Sequence, residues 1–174
     1  MPTRDPHLAA ARIVQDAGGA LVGRTRLQKV AYLAQLAGFG DEFDFEYRRY
    51  GPFSEDLASG MEIARAFGLV TEQEHTAEWG GRYSVYTTEH PSQPRDNGRS
   101  AFIRAAKEVN AIELELAATA AFLFKTEKHP DPWEETKRRK PDKARGDMLE
   151  RAKASYEKLR AMPAPRPLPA LPHA

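Results

Sequence analysis

The order of periodic segments predicts an α+β chain, mainly helical, with one small β hairpin. Three observations lead there. Apolar residues recur at helical spacing in three successive runs before residue 68, each closed by glycine. Two strand-like runs follow, 69–74 and 82–88, joined by a polar loop containing Trp79, Gly80 and Gly81. Beyond a stretch rich in Pro, Ser, Asn and Asp, the period turns helical again.

Asp5-Pro6 opens the first helix, an N-cap with proline at the first helical position. Leu8, Ala9, Ile13 and Ala17 carry it to Gly18-Gly19. Thr25 and Gln28 are spaced as a capping box for the second helix. Leu27, Val30, Ala31, Leu33, Ala34 and Ala37 form its apolar side, and Gly38 and Gly40 end it. Phe43, Phe45 and Tyr47 alternate with Asp44, Glu46 and Arg48, as in a short extended segment. Tyr50-Gly51-Pro52-Phe53-Ser54 reads as a turn that presents Ser54 as N-cap of the third helix. Glu55 and Asp56 suit its first turn, and Leu57, Met61 and Ala64 its buried stripe. Helix, helix, helix, hairpin is the order of a winged helix-turn-helix, which assigns residues 1–90 to such a unit.

Residues 91–98 read as a linker, and residues 99–162 as a helical bundle packed on the first unit. Phe102, Ala106 and Val109 share a face. Asn110 with Glu113 caps a helix carrying Leu114, Leu116, Ala117, Ala120, Leu123 and Phe124. Asp131-Pro132 opens a short helix that Pro141 ends. Met148, Leu149, Ala152, Tyr156 and Leu159 make the last amphipathic helix. The proline-rich residues 163–174 are expected to be a disordered tail, and within them Pro169-Ala170-Leu171-Pro172 formally matches a P-x-x-P ligand.

Lys and Arg total 26 against 25 Asp and Glu, so the net charge of +1 gives no global drive toward nucleic acid or anionic membrane. With no cysteine, disulfides, thiolate zinc sites and cysteine nucleophiles are all excluded. No signal-peptide pattern opens the sequence, and no run approaches the roughly 18–20 apolar residues of a membrane span. The expected location is the cytoplasm, with no membrane partner.

Gly18-Gly19-Ala20-Leu21-Val22-Gly23-Arg24-Thr25 nearly matches a phosphate-binding loop, but a helix precedes it and Arg24 stands at the lysine position. It is expected to be an ordinary helix–helix turn. His7, His75, His90, His129 and His173 are scattered without metal-ligand spacing, and no serine sits in a nucleophile elbow. Neither a cofactor nor a metal is expected, nor catalysis. The one charge cluster is Lys137-Arg138-Arg139-Lys140, which together with Arg48-Arg49 is the candidate nucleic-acid surface. The third helix argues the other way, because its outward residues are Glu55, Asp56, Ser59, Glu62 and Arg65, and carboxylates repel phosphates. Glu55 and Glu62 would suit a basic partner protein instead.

Gly23-Arg24-Thr25-Arg26-Leu27-Gln28-Lys29-Val30-Ala31-Tyr32-Leu33 resembles the G-R-[TK]-[KR]-L-Q-K-x-x-Y-L signature of the YwgA-like proteins. The block from Phe45 to Leu57 is similar to their F-x-x-Y-G-P-[YF]-S-x-x-L segment, and Gly68-Leu69-Val70 to the step that follows. More distantly, the pattern resembles the Panacea domain of SocA-like antitoxins, although Phe53 stands where that domain has Val or Ile. The resemblance implies a partner protein: a toxin, or a substrate delivered to a protease. Leu27, Tyr32 and Leu33 read as core, Gly51 as a turn residue, Pro52 and Ser54 as helix initiation. Arg24, Gln28, Lys29 and Tyr50 either knit the second helix to the Y-G-P turn or face a ligand.

The expectation is therefore a non-enzymatic macromolecule-binding protein, an antitoxin-like or adaptor-like module. Arg24, Gln28, Lys29, Tyr50, Glu55 and Glu62 are its candidate partner-binding residues, and any DNA binding would be weak and non-specific. The alternative is a winged-helix transcriptional regulator, and the third reading an enzyme of unrecognised mechanism.

Overall fold

A computed structural model describes residues 5–91 and 98–172. Proline at N1 starts α1 (Pro6–Asp16), although the Asp5 side chain makes no capping bond. The segment read as a phosphate-loop-like helix–helix turn contains a strand, β1 (Ala20–Val22), so the helix–helix reading is corrected. Leu21 is the reason: it is buried in the core, and extended backbone lets it point inward while Ala20 and Val22 point away.

Helix α2 (Arg24–Leu36) begins at Gly23 with no side-chain cap, which corrects the expected Thr25–Gln28 capping box. Gln28 is drawn instead to the backbone of Ser54. After a loop, β2 (Glu46–Arg48) and β3 (Gly51–Phe53) form a hairpin around Arg49-Tyr50, where the sequence reading saw one strand and a turn. Ser54 caps α3 (Glu55–Ala66) as expected, its Oγ accepting from the Leu57 amide at 3.2 Å. A Cβ at Gly60 would lie 2.6 Å from the Pro6 carbonyl oxygen, so glycine is what lets α3 approach the start of α1.

The hairpin β4 (Thr71–Thr76) and β5 (Arg82–Thr87) gains β1 as a third strand, in the order β1-β5-β4, all antiparallel. Leu21 is registered with Tyr86 and Val22 with Val85. The remainder is helical: α4 (Gly98–Lys107), α5 (Ala111–Lys125), α6 (Pro132–Arg139) and α7 (Met148–Arg160). Asn110 Oδ1 accepts from the amides of Ile112 and Glu113, and Asp131 Oδ1 from that of Glu134, so both expected caps are present. The described chain is thus mixed α+β, with seven helices and two small antiparallel sheets.

Residues 114–123 of α5 are buried on every side, the mark of a central rather than a surface helix. α5 packs on α2, α6, α7 and β3. One continuous core results, in which Leu33 and Tyr32 of α2 join Phe102 of α4, Phe122 of α5 and Trp133 of α6. The boundary expected at residues 91–98 therefore does not divide the core, and residues 92–97 of that linker lie outside the described residues.

The expected disordered tail is corrected over its described part, residues 163–172. Leu168 and Leu171 are buried. The Tyr156 hydroxyl donates to the Pro169 carbonyl at 2.5 Å, and Arg160 Nε to that of Leu168 at 3.2 Å. At the other end the Arg166 amide donates to the Ala37 carbonyl, and its guanidinium to those of Leu36 and Gln35. Proline already restricts the unbound chain, so docking it costs less entropy than composition suggests. His173, the last of the scattered histidines, lies outside the described residues. Among the described residues no helix is long and apolar enough to cross a membrane.

Candidate functional site

The site grows from the β2–β3 hairpin. Its loop has two residues, so Arg48↔Gly51 is the hydrogen-bonded pair and Tyr47↔Pro52 the non-hydrogen-bonded one. Proline at that place costs the ladder nothing, and its carbonyl points away from the partner strand. Gly51 has φ +96°, and a Cβ there would stand 2.5 Å from Thr119 Oγ1 of α5. Both the conformation and the close approach require glycine.

Two α2 side chains fix the hairpin from beneath. The Gln28 amide makes a reciprocal pair with Ser54, Nε2 donating to its carbonyl at 3.0 Å and Oε1 accepting from its N–H at 2.8 Å. Lys29 Nζ donates to the Pro52 carbonyl at 2.8 Å. Both side chains are buried. Of the two roles open to these residues, knitting helix to turn is the one the bonds show. Burial pushes the Lys29 ammonium down to about 8, against the pull of Glu115 and reinforced by Lys140 and Lys143.

Above this base lies an open cleft of about 630 Å³ between the first turns of α2, the hairpin tip, α3 and Tyr86 of β5. Arg24, Gln28, Lys29, Arg48, Arg49, Tyr50, Glu55 and Glu62 all line it. Leu27, Phe53, Ala58 and Met61 supply apolar wall. Arg24 leans on Glu72 of β4, with Nη2 2.8 Å and Nε 3.1 Å from one carboxylate oxygen. Burial alone would raise the Glu72 carboxyl, but hydrogen bonds from Ser84 and Arg24, with Arg65 nearby, hold it below its ordinary value. Arg48 Nη1 lies 3.2 Å from Glu55, and Arg65 Nη2 3.3 Å from Glu62. Tyr50 is 43% exposed, its ring between the Arg49 guanidinium at 5.5 Å and the Lys143 ammonium at 4.7 Å.

The basic run is divided by the fold and lies off this cleft. Arg138 and Arg139 both bind Glu135, whose carboxyl their hydrogen bonds pull down to about 2, and Arg139 also reaches Glu127 at 3.0 Å. Lys140 is buried, its Nζ 3.0 Å from both the Arg49 carbonyl and Glu115 Oε2. Lys137 is exposed and carries no ion pair to a described residue. Three cations at the end of α6 and Lys140 just beyond it thus present a much smaller free charge than the run of four suggests.

Sequence reasoning missed Glu115. It sits within an otherwise apolar helix run, and its buried carboxylate takes Lys143 at 2.6 and 2.8 Å as well as Lys140. It also missed the buried pair Asp16–Arg99, at 2.6 Å between the ends of α1 and α4. A charged residue on a buried helix face signals such a partner but cannot say which.

No protein-family model matches the chain, and no curated protein is similar to it.

Proposed function

We propose that this chain is a protein-binding module, antitoxin-like or adaptor-like in the sense of its resemblance to YwgA-like and Panacea proteins, that does no chemistry of its own. The observation carrying this reading is convergence. The six candidate partner-binding residues, from two separated stretches of sequence, line one cleft together with Arg48 and Arg49, with an apolar wall and a charged rim. At about 630 Å³ the cleft holds two or three side chains of a partner segment, and its paired rim charges are free to exchange partners. Under this reading residues 1–90, described from residue 5 onward, are a winged-helix-like unit, supported by the α1-β1-α2-α3-β4-β5 order interrupted by the small hairpin.

The alternative, a DNA-binding regulator, would present α3 to the major groove. Glu55, Asp56 and Glu62 would then meet phosphates, and the basic run offers little free charge to offset them.

The test is affinity capture from the native host with the wild-type chain and Tyr50→Ala, whose side chain is exposed. A stoichiometric protein partner should be retained by the wild type and weakened tenfold or more by Tyr50→Ala at unchanged melting temperature. Equal retention by both would remove the cleft from the interface. A hundredfold preference for a cognate duplex over a scrambled one, at physiological salt, would establish the regulator instead.

A further inference from the structure

On the far side of Tyr50 from the cleft lies a second, smaller pocket of about 290 Å³, bounded by Thr25, Arg26, Lys29, Tyr50, Ala111, Ile112, Leu114, Glu115 and Lys143. Its charges do not balance. Three cations line it, and Lys140 stands behind it on Glu115, the one carboxylate in the lining. Glu108 acts on Arg26 from outside. Counting both carboxylates against four cations leaves an excess of two positive charges in a region where Lys29, Lys140 and Glu115 are all buried.

Buried charge without a counter-charge is expensive and is normally paired. The cations nearest the pocket are incompletely satisfied by the chain. Lys29 donates to a neutral carbonyl, that of Pro52, and the Arg26 guanidinium also donates to neutral carbonyls, those of Lys107 and Val109. An ammonium has three donors and a guanidinium five, so capacity remains on both. The fall of Lys29 toward a pKa of about 8 is the response of a cation lacking full compensation.

We propose that this pocket binds a phosphate group. An excess of two positive charges matches a phosphate, which carries about −1.5 to −2 near neutrality, and exceeds what one carboxylate neutralises. The volume admits the group with several waters, each occupying roughly 30 Å³. Thr25 and Tyr50, each with a hydroxyl donor, are among the residues of the wall, and Ile112, 39% exposed, marks the open side. The phosphate is either free in solution or an ester on a partner, two sources that the same donors would recognise. The pocket shares Thr25, Lys29 and Tyr50 with the larger cleft, but Lys143 and Ile112 line the smaller pocket and not the larger cleft, so variants there test the phosphate site separately from the partner assigned to the cleft.

The experiment is calorimetric titration of the full chain at pH 7.5 in 150 mM sodium chloride and phosphate-free buffer, with inorganic phosphate as probe. One-to-one binding with a submillimolar Kd is expected, weakened tenfold or more in Lys143→Gln. That lysine is partly exposed, and an unchanged circular-dichroism melt would show the variant folded. If Lys143→Gln unfolds, Ile112→Glu on the open side should weaken binding equally through charge. A peptide Ala-Ala-phosphoserine-Ala-Ala separates the sources: affinity equal to that of inorganic phosphate means the site accepts an ester, and a tenfold weaker one means it takes the free anion. No saturable binding below 10 mM, or equal binding by the wild type and both variants, would overturn the proposal.

Discussion

Lys29 is a cation in the interior, and its consequences are read most directly through pH. Its ordinary value of 10.5 falls to about 8 on folding, because burial disfavours the charged form. Below pH 8 both folded and unfolded chains hold the proton, and the folded state carries the full burial cost. Between about 8 and 10.5 the unfolded chain binds more protons, so stability rises with pH and then levels off. The gain is at most about 3–4 kcal/mol, from roughly 1.4 kcal/mol per pKa unit. Lys29→Met should flatten the rise between pH 7.5 and 10, measured by urea denaturation of both proteins in phosphate-free buffer. An unchanged difference between them across that range would mean that Lys29 titrates as if exposed. The same residue fixes Pro52, so the variant should also lose some order in the hairpin.

Elements in this protein are placed by side chains that act across the chain more than by their own propensity. α2 has no side-chain cap and three basic residues within its first six, yet it is the helix on which the hairpin is built. The docked tail is the other case, an extended segment without helix or strand of its own. Leu168 and Leu171 anchor it, and Tyr156 and Arg160 of α7 hold its carbonyls. Leu168→Ala should cost about 2 kcal/mol, the low end for a buried leucine because the groove is at the surface. Equilibrium denaturation of the full-length variant checks it. A loss under about 0.5 kcal/mol would mean that the tail is undocked in solution, as composition had suggested.

For the whole molecule, the continuous core predicts one unfolding transition. α2 and α5 share contacts, α4 packs on α1 and α2, and the Asp16–Arg99 pair ties the first helix to the fourth. Trp133 is buried in the C-terminal helices and Trp79 is 82% exposed at the tip of the β4–β5 hairpin, so a fluorescence change on unfolding reports chiefly on residues 98–172. Far-ultraviolet circular dichroism weighs all helices alike. The two signals should trace one urea curve with a common midpoint. Separate midpoints would restore the two-unit division that the linker composition suggested.

The sequence by itself determined what short range decides. Ser54, Asn110 and Asp131 cap their helices through bonds to amides two or three residues on, so capping patterns located them. The stripes of α3 and α7 were legible because helical period and burial coincide, whereas in α1 Leu8 of the expected stripe is exposed and the buried face runs instead through Ala10, Ala11, Ile13 and Val14. Arg24, Gln28, Lys29 and Tyr50 could be singled out as polar groups beside apolar ones, but whether they knit or bind could not. That depended on partners far along the chain: Arg24 on Glu72, Gln28 on Ser54, Lys29 on Pro52. β1 was invisible because three residues carry no period, and its strand status comes from pairing with β5. The tail was misread because composition measures the tendency of a segment to fold alone, whereas the surface that receives it is made by α2 and α7. Only the tertiary structure brings such groups together, since burial and charge compensation depend on neighbours in space and not in sequence.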